Sequence, residues 1–202
     1  LIRLALDETM PPLLIAGSRL FIATIILTPI TLNGYLPHIQ KLTRKEFLLI
    51  AVSGIFLAIH FIAWVSSLQY TTVLVSVVIV TTGPIWVAML EVIFLKIRIS
   101  QLVIVGLMIA LVGGIFIGIP LGEASQSSGV ETSTSQNTTI IGAVLSWVGA
   151  IAVSVYMLIG RKLRKKLPVI PYIWLVYGIA TIVLLIMIII TTTPITGFRM
   201  EG

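Results

Sequence analysis

The residues able to recognise a solute all lie inside apolar runs. His60 and Trp64 stand four apart in one run, and Thr81-Thr82-Gly83-Pro84 interrupts the next. Arg19 and Glu91 are single charges set inside otherwise apolar stretches. Polar, aromatic and helix-breaking groups at bilayer depth are expensive, so each needs a reason.

Ser53, Phe56, His60, Trp64 and Ser67 follow one another at steps of 3, 4, 4 and 3, which places them on one helical face. The rest of that run is aliphatic or Phe. Turned inward, such a face could line a cavity, with rings stacking on a solute and His60 donating or accepting hydrogen bonds. The competing reading is interhelical glue, worth about 1 kcal/mol.

In the following run, Pro84 lacks an N–H and clashes one turn back, so a kink is expected near residue 80. The carbonyl freed there would be met by Thr81, by Thr82 or by a substrate group, since broken helices are typical of transporter sites. Thr72 and Ser76 lie nearer one end and could line an entrance. The candidate cavity set is therefore Ser53, Phe56, His60, Trp64, Ser76, Thr81 and Pro84. Arg19 lies within snorkelling range of the headgroups, and Glu91 could pair with Lys96. Both are candidates for gating or charge pairing.

No catalytic constellation accompanies these residues. His38 and His60 are the only histidines, and the sequence has no H-E-x-x-H pair, G-x-S-x-G turn, Walker loop or acidic cluster. No cofactor or metal is implied, and an enzyme has nothing to rest on.

The elements that hold these residues follow from composition. Of 202 residues, 58% are hydrophobic and 10% charged, and mean hydropathy is +1.16. Soluble domains carry about 25% charge, so the fold class is all-α, a polytopic transmembrane helix bundle. Six apolar runs reach the roughly 20 residues that cross a bilayer: 12–32, 47–66, 71–95, 100–119, 140–159 and 172–192. Cysteine is absent.

The net charge of +6 sits in the connections. Loops 33–46, 96–99 and 160–171 fall on one side if every run crosses, and they hold ten of the 13 Lys and Arg. The positive-inside rule makes them cytoplasmic and makes loop 120–139 external. The cluster Arg161–Lys166 then reads as topology, with a lipid-headgroup or nucleic-acid patch as the alternative. The Ser/Thr/Gln/Gly-rich segment 120–139 reads as a flexible boundary between two halves, and Asn137-Thr138-Thr139 fits a glycosylation acceptor.

Two runs carry small residues at intervals of four: Gly106, Ala110, Gly114 and Gly118 in the fourth, and Gly142, Ser146, Ala150 and Ser154 in the fifth. Both read as packing seams that let backbones approach. Trp147 and Tyr156 point in opposite directions on the fifth run, so at most one shares a cavity with His60. Trp174 and Tyr177 read as an interfacial aromatic belt.

The order of motifs is familiar. His60-Phe-Ile-Ala-Trp-Val-Ser-Ser-Leu-Gln-Tyr-Thr-Thr through Thr82, followed by Gly-Pro-Ile-Trp-Val-Ala-Met-Leu, resembles the EamA-type permeases of the drug/metabolite transporter superfamily. So does Pro12 to Arg19 with its Pro-x6-Arg spacing. Tyr156-Met-Leu-Ile-Gly-Arg-Lys-Leu-Arg-Lys-Lys-Leu-Pro, with Tyr172 to Tyr177 after it, is similar to the start of that family's second repeat.

The resemblance implies a ten-helix carrier of two inverted five-helix repeats, with the six runs as helices two to seven of a fragment. Residues 1–119 would be the first repeat without its first helix, 120–139 the connecting loop, and 140–202 the start of the second repeat. It also implies a cavity between repeats lined partly by the second, third and fifth runs, including the His60 face and the Pro84 break. The family's acid after the third run is missing from Lys96-Ile97-Arg98, and Gly142-Ala143 stand where an acid is often found.

The expected function is secondary transport of small organic metabolites, such as amino acids or other neutral or zwitterionic solutes, by alternating access in the cell membrane. Few cations lie inside the runs, which disfavours strongly anionic cargo. The expected partners are the solute and the bilayer, with a homodimer left open and no nucleic acid. A non-transporting membrane scaffold is the alternative.

Overall fold

The computed structural model describes residues 12–96, 99–113 and 136–190, and these are helical with no strand among them. The helices are α1 Pro12–Gly34, α2 Leu36–Gln40, α3 Arg44–Ser67, α4 Val73–Thr81 and α5 Gly83–Leu95. They continue as α6 Gln101–Gly113, α7 Gln136–Leu163 and α8 Val169–Ile190. Among the described residues, five stretches are long and apolar enough to cross a membrane, with α4 and α5 together forming one of 23 residues. The fourth run is described only across α6; the rest of it, with Gly114 and Gly118, lies outside the described residues, as does 120–135.

Two boundaries differ from expectation. The linker 33–46 contains the short helix α2, and α7 begins at Gln136, inside the segment read as loop. The backbone of Asn137 is therefore helical. Two hydroxyls of α1 are absorbed by their own helix: Thr24 Oγ1 donates to the Leu20 carbonyl at 2.8 Å and Thr28 Oγ1 to the Thr24 carbonyl at 2.7 Å. Such back-bonding hides a polar group where no water can reach it.

The chain forms two compact units, one of residues up to Ile62 and from Ile159 onward, the other of Ala63–Leu158. In the first, α1 packs on α8. The buried face of α8 is Tyr172, Val176, Ala180, Leu184 and Ile188, one residue every four. Gly17 of α1 lies against Leu184 and Ile188, Thr24 against Gly178, and Thr28 Oγ1 accepts from Trp174 Nε1 at 2.9 Å. As numbers rise along α1 they fall along α8, so the pair is antiparallel.

The α3 part of this unit approaches α8 so closely that a Cβ on Gly54 would sit 2.7 Å from Ile179 Cγ2. Trp174, read as interfacial belt, is half-buried and donates from Nε1 to Thr28 Oγ1 of α1.

In the second unit, α7 lies along α4 and α5. Gly142 meets Thr71, Ser146 meets Ser76, and Ser154 meets the Gly83 carbonyl. Both sets of numbers rise together, so this pair is parallel. The fifth-run stripe is the seam: Ser146, Ala150 and Ser154 are fully buried. The fourth-run stripe is not a seam where it is described. Gly106 and Ala110 are exposed, and a Cβ on Gly106 would meet nothing within 4 Å.

Candidate functional site

The α3 stripe is turned inward along its length. Ser53 and Ser67 are fully buried, His60 is 8% exposed, and Phe56 and Trp64 are half-buried. Phe47, Leu48, Ile55 and Ile59 on the same helix are exposed. The stripe lies away from those exposed residues and shares the buried side of α3 with the aliphatic Ile50, Leu57, Ala58, Ala63 and Val65.

The two ends of the stripe are pinned. Ser53 Oγ lies 2.7 Å from Tyr172 Oη, both buried. Gly160 makes room for that phenol, since a Cβ there would lie 2.7 Å from the same oxygen. At the other end, Ser67 Oγ donates to the Trp64 carbonyl at 2.6 Å and lies 2.6 Å from Ser76 Oγ. Ser146 Oγ is 3.1 Å from Ser76 Oγ and also donates to the Gly142 carbonyl. Ser76 therefore serves a chain of three buried hydroxyls. Between the pinned ends stand Phe56, His60 and Trp64, with the imidazole edge-on to Phe61 at 5.2 Å between centroids.

The helix break falls at Thr82, between α4 and α5, with Pro84 in the first turn of α5. Thr82 closes it from both sides. Its N–H reaches the Ile79 and Val80 carbonyls, its hydroxyl donates to the Ile79 carbonyl at 2.6 Å, and it accepts from Trp86 Nε1 at 3.2 Å. Ser154 Oγ donates to the Gly83 carbonyl at 3.0 Å. Trp86 in turn meets Trp147 edge-on, with centroids 5.2 Å apart. Thr81 and Pro84 are exposed, and the Thr81 hydroxyl is turned back onto the Val78 carbonyl.

Arg19 is exposed on α1 and Glu91 is half-buried on α5. The Glu91 carbonyl accepts the N–H of Lys96, which closes α5 in a left-handed conformation with φ 51°. Tyr172 and Trp86 stand in the motifs quoted for the resemblance, but nothing in the sequence marks them as anchors.

The model of the EamA-like transporter family matches residues 1–119. The chain belongs to this family. No curated protein and no solved structure matches the chain.

The EamA-like transporters are membrane proteins of the drug/metabolite transporter superfamily, and the match spans α1 to α6, so the inward face of α3 lies within the shared segment. Just ahead of the apolar run of α3, this EamA-like chain places Thr43-x-x-Glu46, a reciprocal cap. Glu46 Oε2 accepts from the Thr43 N–H at 3.0 Å, and Thr43 Oγ1 accepts from the Glu46 N–H at 3.3 Å. Lys166 Nζ reaches Glu46 Oε1 at 3.0 Å.

Proposed function

We propose that this chain is a secondary carrier or exporter of small organic metabolites, neutral or zwitterionic, working by alternating access in the cell membrane. The observation behind the reading is that His60, 8% exposed, shares one face of α3 with the half-buried Phe56 and Trp64, away from the exposed Ile55 and Ile59. Aromatic walls with few polar groups are the usual lining of small-molecule sites. The only charges within the apolar runs are Arg19, exposed, and Glu91, half-buried towards the far end of α5. That charge balance suits an uncharged or internally neutralised solute, such as an amino acid.

The division into a first repeat over 1–119 and a second from 140 is part of the same proposal, supported by a family match that ends at residue 119. The parallel pairing of α7 with α4 and α5 and the antiparallel pairing of α1 with α8 also fit runs that each cross the bilayer. On this reading the basic connections are cytoplasmic. Ser53, Ser67 and Ser76 act as pins that hold the face, and Thr81 and Pro84 shape the break.

The test uses the absence of native cysteine. Single cysteines at Phe56, Trp64 and Ile55 are treated with a membrane-impermeant thiol reagent in cells. Labelling at Phe56 and Trp64, with Ile55 protected, is the expected result. Protection of all three would support the non-transporting scaffold instead.

A further inference from the structure

The first unit buries two hydroxyls that bond to nothing. Thr31 of α1 is 0% exposed and Thr181 of α8 is 5% exposed, and no group among the described residues takes up either Oγ1. Thr24 and Thr28, on the same helix as Thr31, are bonded back onto their own turn. A buried hydroxyl without a partner is costly, and two in one helix pair need a reason.

Spacing supplies one. Gly17, Thr24, Thr28 and Thr31 lie within about 60° of one another round α1, and Trp174, Gly178 and Thr181 do so round α8. Thr24 meets Gly178 and Thr28 meets Trp174 in this antiparallel seam, so both orphan hydroxyls stand on the seam faces. Each lies three residues from a position that carries a bonding group: Thr31 from Thr28, and Thr181 from Gly178 opposite Thr24.

We infer that α1 slides along α8 between two registers three residues apart, of which this structure holds one. The step is about 4.5 Å at 1.5 Å per residue. In the second register Thr31 stands level with Trp174 and Thr24 level with Thr181. Trp174 Nε1 then exchanges Thr28 Oγ1 for Thr31 Oγ1, and Thr181 donates to Thr24 Oγ1, whose own proton stays on the Leu20 carbonyl. One movement satisfies both orphans. The proposal rests on the alternating-access reading and names its moving helix.

The seam is built for such a step. Gly17 and Gly178 raise no side chain in the path, and a Cβ on either would make only ordinary contacts, at 3.6 Å from Ile188 and 3.8 Å from Thr24. The opposite face of α1, with Ile22, Ile26 and Ile30, is exposed and aliphatic, so movement there breaks no polar contact. By contrast α8 is fixed to α3 by the bond of Ser53 to Tyr172 and by the close approach of Gly54 to Ile179. Packed interfaces shift in discrete steps of this kind, one element past another.

The chain has no native cysteine, so disulfide formation reads the register directly. In the present register Thr181 is level with Phe21, three residues from Thr24 and four from Gly17. In membranes holding the full chain, Thr24→Cys/Thr181→Cys should cross-link at least about fivefold faster than Gly17→Cys/Thr181→Cys, because the slide brings only the first pair within disulfide reach. Thr24→Cys/Gly178→Cys, which meet in the present register, should also cross-link.

Thr31→Val removes the acceptor that Trp174 takes in the second register and no bond made in the first. It should slow the Thr24/Thr181 cross-link by about fivefold, the effect of one hydrogen bond, and leave the Thr24/Gly178 cross-link unchanged. A fixed seam with a buried water on each hydroxyl would cross-link Thr181 to Gly17 and Thr24 at similar rates. That result, or a Thr24/Thr181 rate indifferent to Thr31→Val, would overturn the slide. Neither readout needs a solute, so failure of the slide is distinguishable from failure of the carrier reading.

Discussion

The hydroxyl of Ser53 and the phenol of Tyr172 lie 2.7 Å apart with neither side chain more than 2% exposed. One end of the α3 stripe is thus tied to α8 across 119 positions of sequence. A bond of this kind inside a membrane protein is worth about 0.6 to 2 kcal/mol, because the alternative partners in lipid are few but not absent.

Tyr172→Phe should therefore lower unfolding stability by about 1 kcal/mol, measured by chemical unfolding in detergent micelles. Gly160→Ala should cost more, since its Cβ would press on the phenol oxygen at 2.7 Å. The double variant Ser53→Ala/Tyr172→Phe should be less destabilised than the sum of the single changes. Strict additivity would mean the two groups do not interact.

Glycine substitutions should split by site. Gly142→Ala would place a Cβ 2.6 Å from Thr71 Cβ and 2.9 Å from the Thr71 nitrogen, and a backbone atom cannot move aside cheaply. A loss of about 1 to 3 kcal/mol is expected. Gly106→Ala meets nothing within 4 Å and should gain about 0.5 to 1 kcal/mol of helix stability. Thermal midpoints moving in the same direction for both variants would contradict the packing described.

Stability should carry a pH signature from Glu46. The Thr43 N–H, then Lys166, then the Thr43 hydroxyl hold its carboxyl at about 2, below its ordinary 4.5. A folded value below the unfolded one favours the folded state above about pH 4.5, and that contribution drains away as pH falls towards 2. The unfolding midpoint followed from pH 7 to pH 3 should fall in the lower part of the range. Glu46→Gln should flatten that fall, and an identical profile in the variant would show that the ionised Glu46 carboxylate contributes nothing.

Much of the bundle was legible because membrane helices announce themselves by length. The second and sixth runs, expected at 47–66 and 172–192, begin three residues earlier as α3 and α8, and the fifth-run stripe is the seam it was read to be. Periodicity identified faces but not partners. It placed Gly106 and Ala110 on a stripe without revealing that no helix covers it among the described residues.

It also grouped Ser53 and Ser67 with the aromatic residues, whereas their hydroxyls bond to Tyr172, to the Trp64 carbonyl and to Ser76. A serine's short reach makes its partner a matter of tertiary approach, which spacing alone does not encode. The break was placed near residue 80 and falls at Thr82, because proline's missing N–H is a local fact. The cap Thr43-x-x-Glu46 was also local, and its signature stands in the sequence.

The central claim is that the inward face of α3 contacts the transported solute, and transport measures this most directly. Uptake of radiolabelled amino acids into proteoliposomes holding the full-length protein is compared with His60→Ala and Trp64→Ala, with Ile55→Ala as the outward-facing control. The expected result is transport reduced at least about tenfold in both inward variants, which corresponds to about 1.4 kcal/mol of lost solute contact, with the control unchanged. Wild-type transport in both His60→Ala and Trp64→Ala would contradict the claim and remove α3 from the pathway.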